Sequence, residues 1–381
     1  MNRKRRHRSS RVGGFHPPCC PNPRCRFHIH RQGWHFVRDG HHTRASDHRR
    51  FQYYRCRACG RRFSPRAFST TYWLRRRDLL LPIASLLSEG AAFRQIARAL
   101  GTSHTTVARH AARLGRHCLL FHRELLRGYP LPEPLVIDGF ESFEYSQYFP
   151  FHANLAAGAE SWFLYHFTDS PLRRKGSMTP SQRRRRSELE EALGRPDPKA
   201  IERGIASLLE PLVWGLPPGA ALILHSDDHP AYPRALRRLR REGRCPVRIR
   251  HRTSSGLERR TKRNPLFPVN LADLLIRHAS ANQHRETIAF SKRRQGALER
   301  LAVFTVWRNC IKRRRENGPR ESAAMWLGRL PRLLSWRGVL RRRRFPKHGD
   351  LPKPWGDYYW RRVRTAALGS RQTTHKLGYA F

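Results

Sequence analysis

Acidic residues are scarce in this chain: 28 Asp and Glu stand against 77 Lys and Arg in 381 residues, for a formal net charge of +49. A run of 18 or more apolar residues is absent, so the sequence contains no candidate transmembrane helix and we expect a soluble, cytoplasmic protein. The sequence also lacks a Gly-rich nucleotide-binding loop, coiled-coil heptads and internal repeats. Coupling to ATP hydrolysis is therefore not indicated.

The excess of positive charge is larger than solubility requires. It indicates a polyanionic partner, DNA or RNA, whose binding would depend strongly on salt. A ribosome-like or membrane-surface protein is the alternative explanation of this charge. The length is sufficient for two or three domains, so one large core can accompany smaller modules.

Cysteine is limited to eight residues, four of which form two close pairs, Cys20/Cys25 and Cys56/Cys59. In a cytosolic protein such pairs suit metal better than disulfides, because four thiolates close a tetrahedral Zn²⁺ site. We predict a structural zinc ribbon over residues 19–68, after a basic tail at 1–18. The alternatives are unligated thiols or substitute ligands from the same segment, which are Cys19, His28, His30, His35, His41, His42 and His48.

The apolar spacing changes to a helical pattern over residues 69–128. Two short helices, around 93–100 and 104–114, flank a turn that ends at Ser103, a spacing typical of a helix-turn-helix. Ser103 is placed to cap the second helix, and a plain three-helix bundle is the alternative. The residues predicted to pack inside are Ile96, Leu100, Val107 and Leu114. Those predicted to face a DNA major groove are His104, Thr105, Arg109 and Arg113.

Two aspartates, Asp138 and Asp227, each follow a short β-prone apolar run. A carboxylate just past such a strand can reach a cleft at the end of the sheet. Mg²⁺ prefers hard oxygen ligands, and a two-metal phosphoryl-transfer site needs two or three converging carboxylates. Taken singly, an Asp after a strand is more often a turn residue or a helix cap.

The segment 135–310 alternates strands and helices. Further strands are predicted at 148–156 and 161–168, and an amphipathic helix at 199–213 precedes the strand that ends at Asp227. Three strands, a helix and a fourth strand beside the first form a mixed α/β layer that matches a ribonuclease H-like core. The basic run 183–186 is interpreted as a solvated or disordered segment rather than a DNA contact.

Three blocks of this chain resemble signatures of DDE-type insertion-sequence transposases of bacteria. These blocks are Ile137-Asp138-Gly139-Phe140-Glu141, His225-Ser226-Asp227-Asp228-His229-Pro230-Ala231-Tyr232 and Arg285-Glu286-Thr287-Ile288-Ala289-Phe290-Ser291-Lys292-Arg293-Arg294. The resemblance covers most of residues 20–315 and includes the order of zinc ribbon, helix-turn-helix and ribonuclease H-like catalytic domain.

The resemblance implies that Asp138 and Asp227 are the first two ligands of catalytic Mg²⁺ or Mn²⁺, with a third acid on a helix further along the chain. It also implies a nucleoid-associated bacterial protein that binds double-stranded DNA, both the element's terminal repeats and a target. Strand cleavage and transfer would then require a homodimer or larger synaptic assembly, because two element ends must meet.

Three acids after Asp227 are candidates for the third ligand: Glu258, Asp273 and Glu286. Spacing alone favours Glu258, which however lies in a loop-like stretch, and Glu286 is expected to pair with a nearby Arg. We prefer Asp273, because the predicted helix 269–281 places it on a flank facing the cleft. That orientation assumes a buried stripe formed by Leu271, Leu274, Leu275 and His278.

Cations and aromatic residues alternate in the C-terminal region, 311–381, which could line a DNA end or instead form a small helical packing domain with a basic face. Lys292 and Arg293 are candidates to neutralise the transition state or hold the element end. The alternative to a transposase is a non-catalytic DNA-binding regulator or an inactivated transposase. A structure-specific nuclease is a third possibility.

Overall fold

The computed structural model describes residues 15–43, 48, 50–259 and 261–368. Contacts divide this chain into two compact units, one up to Leu74 and one from Arg75. Most of the predicted basic tail, residues 1–14, and the last residues of the C-terminal region, 369–381, lie outside the described residues. Among the described helices, none has the length and apolar character needed to cross a bilayer.

The first unit is built on a three-stranded antiparallel sheet in the order β1-β2-β3. Its strands are β1 (Phe36–Thr43), β2 (Arg50–Cys56) and β3 (Arg62–Phe63). Aromatic rings of Trp34, Phe36, Tyr54 and Phe63 pack against one another with centroids 5.0 to 6.2 Å apart. This core is small, so the unit depends on a further stabilising element.

Three helices open the second unit: α1 (Leu80–Ser88), α2 (Phe93–Ala99) and α3 (His104–Leu125). The turn before α3 passes through Gly101 at φ +56°, a left-handed conformation that glycine adopts without a steric penalty. The Ser103 hydroxyl caps α3 by accepting from the Thr106 amide at 3.2 Å, as predicted. Helix α3 continues well beyond Leu114, where the sequence pattern placed its end.

The second unit contains a five-stranded sheet in the order β6-β5-β4-β7-β8. The strands are β4 (Leu135–Phe143), β5 (Pro150–Gly158), β6 (Leu164–Pro171), β7 (Ala221–Ser226) and β8 (Arg248–Thr253). Strands β4, β5 and β6 are antiparallel neighbours, whereas β7 runs parallel to both β4 and β8. The predicted mixed α/β class is confirmed, although β8 was not predicted.

Five longer helices follow or separate these strands. They are α4 (Pro180–Leu193), α5 (Ala200–Val213), α6 (Ala231–Arg241), α7 (Phe267–Ala279) and α8 (Arg294–Val306), the last continuing into a π-helical turn at Trp307–Ile311. The arginines at 183–186 lie within α4. The Thr179 hydroxyl and the Gln182 side chain cap that helix reciprocally. Helix α4 has no buried residue, so its basic run is solvated as expected.

Helix α3 crosses α8 closely at Gly115. A Cβ atom on this glycine would lie 2.4 Å from the Glu299 carbonyl oxygen, so no larger residue fits without moving α8. The helix-turn-helix segment and the sheet thus share one packed core. Four short helices complete the unit: α9 (Ala323–Trp326), α10 (Trp336–Val339), α11 (Pro346–Gly349) and α12 (Lys353–Tyr359).

The C-terminal segment covers edge strand β6. The Asn309 side chain hydrogen-bonds both the amide and the carbonyl of Leu164 at 2.9 Å, and the Trp355 indole donates to the Phe167 carbonyl at 3.0 Å. Sheet edges need such cover because their unpaired backbone groups invite association. Four aromatic residues of this segment are buried, so they pack in the core and a DNA-lining role for them is wrong. They are Trp336, Trp355, Tyr358 and Tyr359.

Candidate functional site: an acidic cluster and a cysteine cluster

Asp138 and Asp227 lie on neighbouring parallel strands. The register pairs Leu135 with Leu224 and Val136 with His225, so two positions further along β4 and β7 the aspartates come opposite each other. Gly139 follows Asp138 where β4 approaches β5 closely, and a Cβ there would lie 2.1 Å from the Ala153 carbonyl oxygen. The sheet therefore fixes the backbone beside the first acid.

The second acid sits at the turn between β7 and α6. One carboxylate oxygen of Asp227, Oδ1, accepts a hydrogen bond from the His229 amide at 3.0 Å. The His229 ring nitrogen Nδ1 in turn accepts from the Ala231 amide at 3.2 Å, which satisfies a free donor in the first turn of α6. Asp227 thus keeps its other oxygen, Oδ2, without a hydrogen-bond partner among the described residues.

Tyr232, in the first turn of α6, donates its hydroxyl to Asp138 Oδ1 at 3.2 Å. Burial and the charges of Asp138 and Asp227 raise the pKa of Tyr232, so the phenol remains a donor at neutral pH. We assigned no role to this tyrosine from the sequence. Its position five residues after Asp227, on the helix that starts at the second acid, is the signal that could have identified it.

Burial and neighbouring acids raise the pKa of Asp138 to about 6. Burial is the largest cause, the charges of Asp227 and Asp273 add to it, and hydrogen bonds from the Gly139 amide and Tyr232 oppose it. A buried carboxylate whose pKa is raised by two neighbouring carboxylates favours binding of a divalent cation, which relieves the repulsion.

Asp273 belongs to this cluster through helix α7, but the predicted orientation of the helix is wrong. Leu274 is 63% exposed and His278 is exposed, so the stripe assumed from the sequence is not the buried one. The residues that pack inward are Val269, Ala272, Ile276 and Ala279. Helix α7 packs against β4 and, at Ala279, against the turn at Gly90.

Asp273 is held by Arg277 one turn later, with the guanidinium Nε 3.1 Å from carboxylate oxygen Oδ1. Arg277 also lies over the Phe140 ring of β4, 5.4 Å from its centroid. In the described part of the chain, the three acids do not form a group whose ligand oxygens all lie within 4.8 Å of one another. A cation shared by all three therefore requires at least one of these side chains to move closer to the others.

The two other candidates for a third acid lie elsewhere. Glu258 is exposed in the loop after β8, where its side chain accepts from the Ser255 amide at 3.3 Å. Glu286 is exposed in the loop between α7 and α8. Asp273, by contrast, raises the pKa of Asp138. The arrangement therefore favours Asp273 as the third acid of the cluster.

We expect Asp138→Asn to stabilise the metal-free protein. The carboxyl has its pKa raised from 3.8 to about 6 in the folded state, so its ionisation costs roughly 3 kcal/mol of stability at neutral pH. This cost is absent below the unfolded pKa and reaches its full size as pH rises through about 6. Urea unfolding in EDTA should show the gain at about pH 7.5 and none at about pH 4. An equal gain at both pH values would contradict this account.

The first unit brings Cys20, Cys25, Cys56 and Cys59 together, with all four sulfur atoms within 4.8 Å of one another. The Cys20–Cys59 and Cys25–Cys56 sulfur distances are 3.7 and 3.9 Å. Four sulfurs placed tetrahedrally at the usual Zn–S distance lie about 3.8 Å apart, so this group fits a structural zinc ion. Of the alternatives left open by the sequence, Cys19 lies outside the four-sulfur group.

Hydrogen bonds favour the thiolate form of Cys56. Burial raises its pKa, but donors from the Trp34 indole and from the Cys59 and Ala58 amides lower it further, so the net shift is downward. The Trp34 Nε1 atom lies 3.3 Å from the Cys56 sulfur. Asn22 Nδ2 donates to the Cys59 sulfur at 3.6 Å. Such donors orient metal-bound thiolates and stabilise their charge.

Helix α3 exposes three of its four predicted DNA-facing residues: His104, Thr105 and Arg109. The fourth prediction is wrong, because Arg113 is only 8% exposed. Burial lowers the pKa of Arg113 to about 9, and the charges of Arg343 and Arg116 contribute. The residues expected inside are buried at Ile96, Val107 and Leu114 and half-buried at Leu100.

Lys292 and Arg293 lie away from the acids. The preceding residue, Ser291, pairs with Glu144 just beyond the end of β4. Glu144 is six residues past Asp138, roughly 20 Å along the strand. The structure therefore does not bring Lys292 or Arg293 to the acidic cluster, although Lys292 is exposed.

Comparison of this chain with models of known protein families and with curated proteins finds no match.

Proposed function

We propose that the chain is a DNA transposase of an insertion sequence, which cuts and joins DNA strands with divalent cations held by Asp138, Asp227 and Asp273. The supporting observation is that Asp227 and Asp273, distant in sequence from Asp138, both raise the pKa of its carboxyl, from the neighbouring strand end and a facing helix. The strand order β6-β5-β4-β7-β8 is the one expected of a ribonuclease H-like core. The net charge of +49 suits a phosphate backbone as partner.

The chain's own residues supply the framework of the reaction. Asp138 and Asp227 offer carboxylate oxygens from adjacent strands, and Tyr232 fixes the Asp138 carboxylate by donating to Oδ1. Asp273 completes the set when it leaves Arg277, whose guanidinium is then free to meet a phosphate oxygen. When bound, Mg²⁺ lowers the pKa of the attacking hydroxyl and stabilises the leaving oxygen.

The exposed start of α3 is the proposed reader of the element's terminal repeat. Arg94 and Arg98 on α2 are exposed beside His104 and line a shallow depression around the turn at Gly101. A helix N-terminus flanked by cations matches the way a recognition helix enters a major groove. In the first unit, the cysteine cluster would hold a zinc ribbon that adds a second DNA contact.

Arg109→Ala should weaken binding to duplex DNA. Loss of one phosphate or base contact costs about 1–3 kcal/mol, and loss of a phosphate contact also reduces the slope of log K against log salt by about 1. Fluorescence anisotropy at several salt concentrations measures both quantities. Arg127→Ala is the matched control, because Arg127 is exposed at the opposite end of α3. Equal losses in the two variants would assign the effect to general charge.

The test of the proposal is an assay of Mg²⁺-dependent cleavage and strand joining on DNA carrying the flanking ends of the gene's own locus. We expect nicked and joined products that require divalent metal. Binding of the ends without cleavage in Mg²⁺ or Mn²⁺ would overturn the proposal.

That outcome would favour a non-catalytic regulator or an inactivated transposase instead. One observation already favours this second candidate: Asp273 is engaged by Arg277 and the three acids are not drawn together. Arg277→Met separates the two candidates, because it frees Asp273. In a transposase this variant should bind Mn²⁺ at least as tightly as wild type, whereas in a regulator neither protein binds it at this site.

A further inference from the structure

A tryptophan in a strained backbone conformation forms the turn between β5 and β6. Trp162 has φ +59°, in the left-handed region that bulky residues rarely occupy. Such a conformation costs of the order of 1–3 kcal/mol and persists only where the surroundings enforce it. Glycine would avoid this cost, so the strain is tolerated for the sake of the tryptophan side chain.

A buried carboxylate enforces the turn. Glu133, 6% exposed, accepts hydrogen bonds from the Glu160 and Ser161 amides and from the Tyr165 hydroxyl, each at 2.8 Å. Gly158 leaves room for it, because a Cβ there would lie 2.1 Å from a Glu133 oxygen. The hydrogen bonds of Glu133 therefore hold the turn in place without any contribution from the Trp162 side chain.

The Trp162 side chain lies among alternating aromatic rings and cations. We term this surface, which is formed by Trp162, Arg314, Arg315 and Trp326, the tryptophan patch. The Arg314 guanidinium lies 5.2 Å from the Trp162 centroid and 5.4 Å from that of Trp326. Arg315, which is exposed, lies 4.9 Å from the Trp162 centroid. Trp326 is 38% exposed.

Only Arg314 in the patch is paired with an acid: it contacts Glu321 at 3.1 Å and donates to the Glu160 carbonyl at 3.0 Å. The exposed Arg315 has no ion-pair partner among the described residues and covers the Trp162 ring through a cation–π contact alone. Exposed contacts of this kind are weak, about 0.5–1 kcal/mol. Arg315 can therefore swing away when another planar group approaches the ring.

The patch lies at one end of the helix that carries the third acid. Trp162 contacts the ring of Phe267, the first residue of α7, with centroids 5.3 Å apart. Asp273 is six residues further along α7, about 9 Å along the helix axis. The patch therefore lies near the acidic cluster.

We propose that the tryptophan patch binds unpaired DNA by stacking a base on Trp162 or Trp326 while Arg315 meets the adjoining phosphate. Aromatic rings interleaved with cations suit single strands, whose bases offer free faces, rather than duplex, whose bases are stacked already. The location of the patch beside a scissile phosphate rests on the proposed function. In that function the patch would hold DNA strands that open next to the cut. Binding of single strands by the patch does not depend on cleavage.

The experiment measures affinity of the full-length protein for a fluorescent oligo-dT of about 15 nucleotides and for a duplex of equal length, in EDTA so that no cleavage occurs. The variant Trp162→Gly removes the ring and suits the positive φ, so the turn should be retained. Trp162→Phe keeps a stacking surface. Trp214→Ala removes a tryptophan that is 59% exposed at the end of α5 and serves as the matched control.

We expect Trp162→Gly to weaken oligo-dT binding about tenfold or more, with duplex binding unchanged. Trp162→Phe should stay within about threefold of wild type, and Trp214→Ala should match wild type. The melting temperature of Trp162→Gly should stay close to that of wild type, because relief of the backbone strain offsets the loss of the Phe267 ring contact.

Unchanged oligo-dT binding by Trp162→Gly, or equal losses for single strand and duplex, would overturn the proposal, as would a marked fall in melting temperature without a binding defect. The result is separable from the proposed function. A wild-type protein that cleaves DNA but whose Trp162→Gly variant binds oligo-dT normally refutes only the patch. A protein that never cleaves DNA but shows the tenfold loss refutes only the transposase.

Discussion

Replacing Asp138 or Asp227 with Asn should abolish metal-dependent strand cleavage and leave binding to DNA ends unchanged. Each substitution removes a hard anionic ligand but keeps the shape of the side chain, and several kcal/mol of transition-state stabilisation depend on the bound cations. We expect the cleavage rate to fall by at least about 10³-fold. The measurement is single-turnover cleavage of a labelled end, with anisotropy on the same DNA as the binding readout.

Asp228→Asn is the matched control for the second acid. Asp228 is exposed and adjacent to Asp227. Asp273→Asn and Glu258→Gln extend the series to the third acid, and only the former should lose cleavage. Retention of more than about a tenth of the rate in Asp227→Asn would be incompatible with two-metal chemistry at this site.

Removal of zinc should unfold the first unit and leave the second folded. Structural zinc contributes about 10–16 kcal/mol in small domains of this kind, far more than the small aromatic core can replace. We expect one zinc per chain by mass spectrometry of the native protein, and its loss in Cys56→Ser. In NMR spectra of the backbone amides, the signals of β1 and β2 should lose their dispersion, while those of the five-stranded sheet persist.

Cys245→Ser is the control for that experiment. Cys245 lies in the second unit, half-buried, with its sulfur 3.3 Å from the Val247 carbonyl oxygen, and it belongs to no ligand group among the described residues. The variant should retain zinc and the β1–β2 signals. A metal-free protein with an intact first unit would show that the four thiols stabilise it without metal.

Much of the central fold is predictable because its signals are local. Apolar β-prone runs predicted β4 and β7, and the amphipathic pattern at 199–213 predicted α5 almost to the residue. Strand β8 was missed because arginines and a histidine interrupt its apolar alternation. In α4 the capping residues Thr179 and Gln182 carried the signal that the run of arginines obscured.

The errors at the candidate sites arose where tertiary packing overrides local pattern. Helix α7 has leucines on more than one face, so periodicity alone selected the wrong stripe, and the buried stripe is formed by Val269, Ala272, Ile276 and Ala279 instead. Arg113 was predicted to face DNA together with Arg109, on a helix expected to end at Leu114. In the folded chain the helix continues into the core, where burial dominates the environment of that arginine. The strained turn at Trp162 depends on Glu133, which is distant in sequence and gives no local signal.

In the proposed transposase, the continuous helix α3 would fix the distance between the bases that are read and the bond that is cut. Its 22 residues span about 33 Å, close to one turn of B-DNA, and Gly115 locks the helix against α8. Bases read at the His104 end would then lie a set number of base pairs from the bond that is cut. Inserting one base pair between them would rotate the scissile phosphate by roughly 35° around the duplex axis, away from the acids. In such a transposase, spacing within the element's end would be specified as strictly as its sequence.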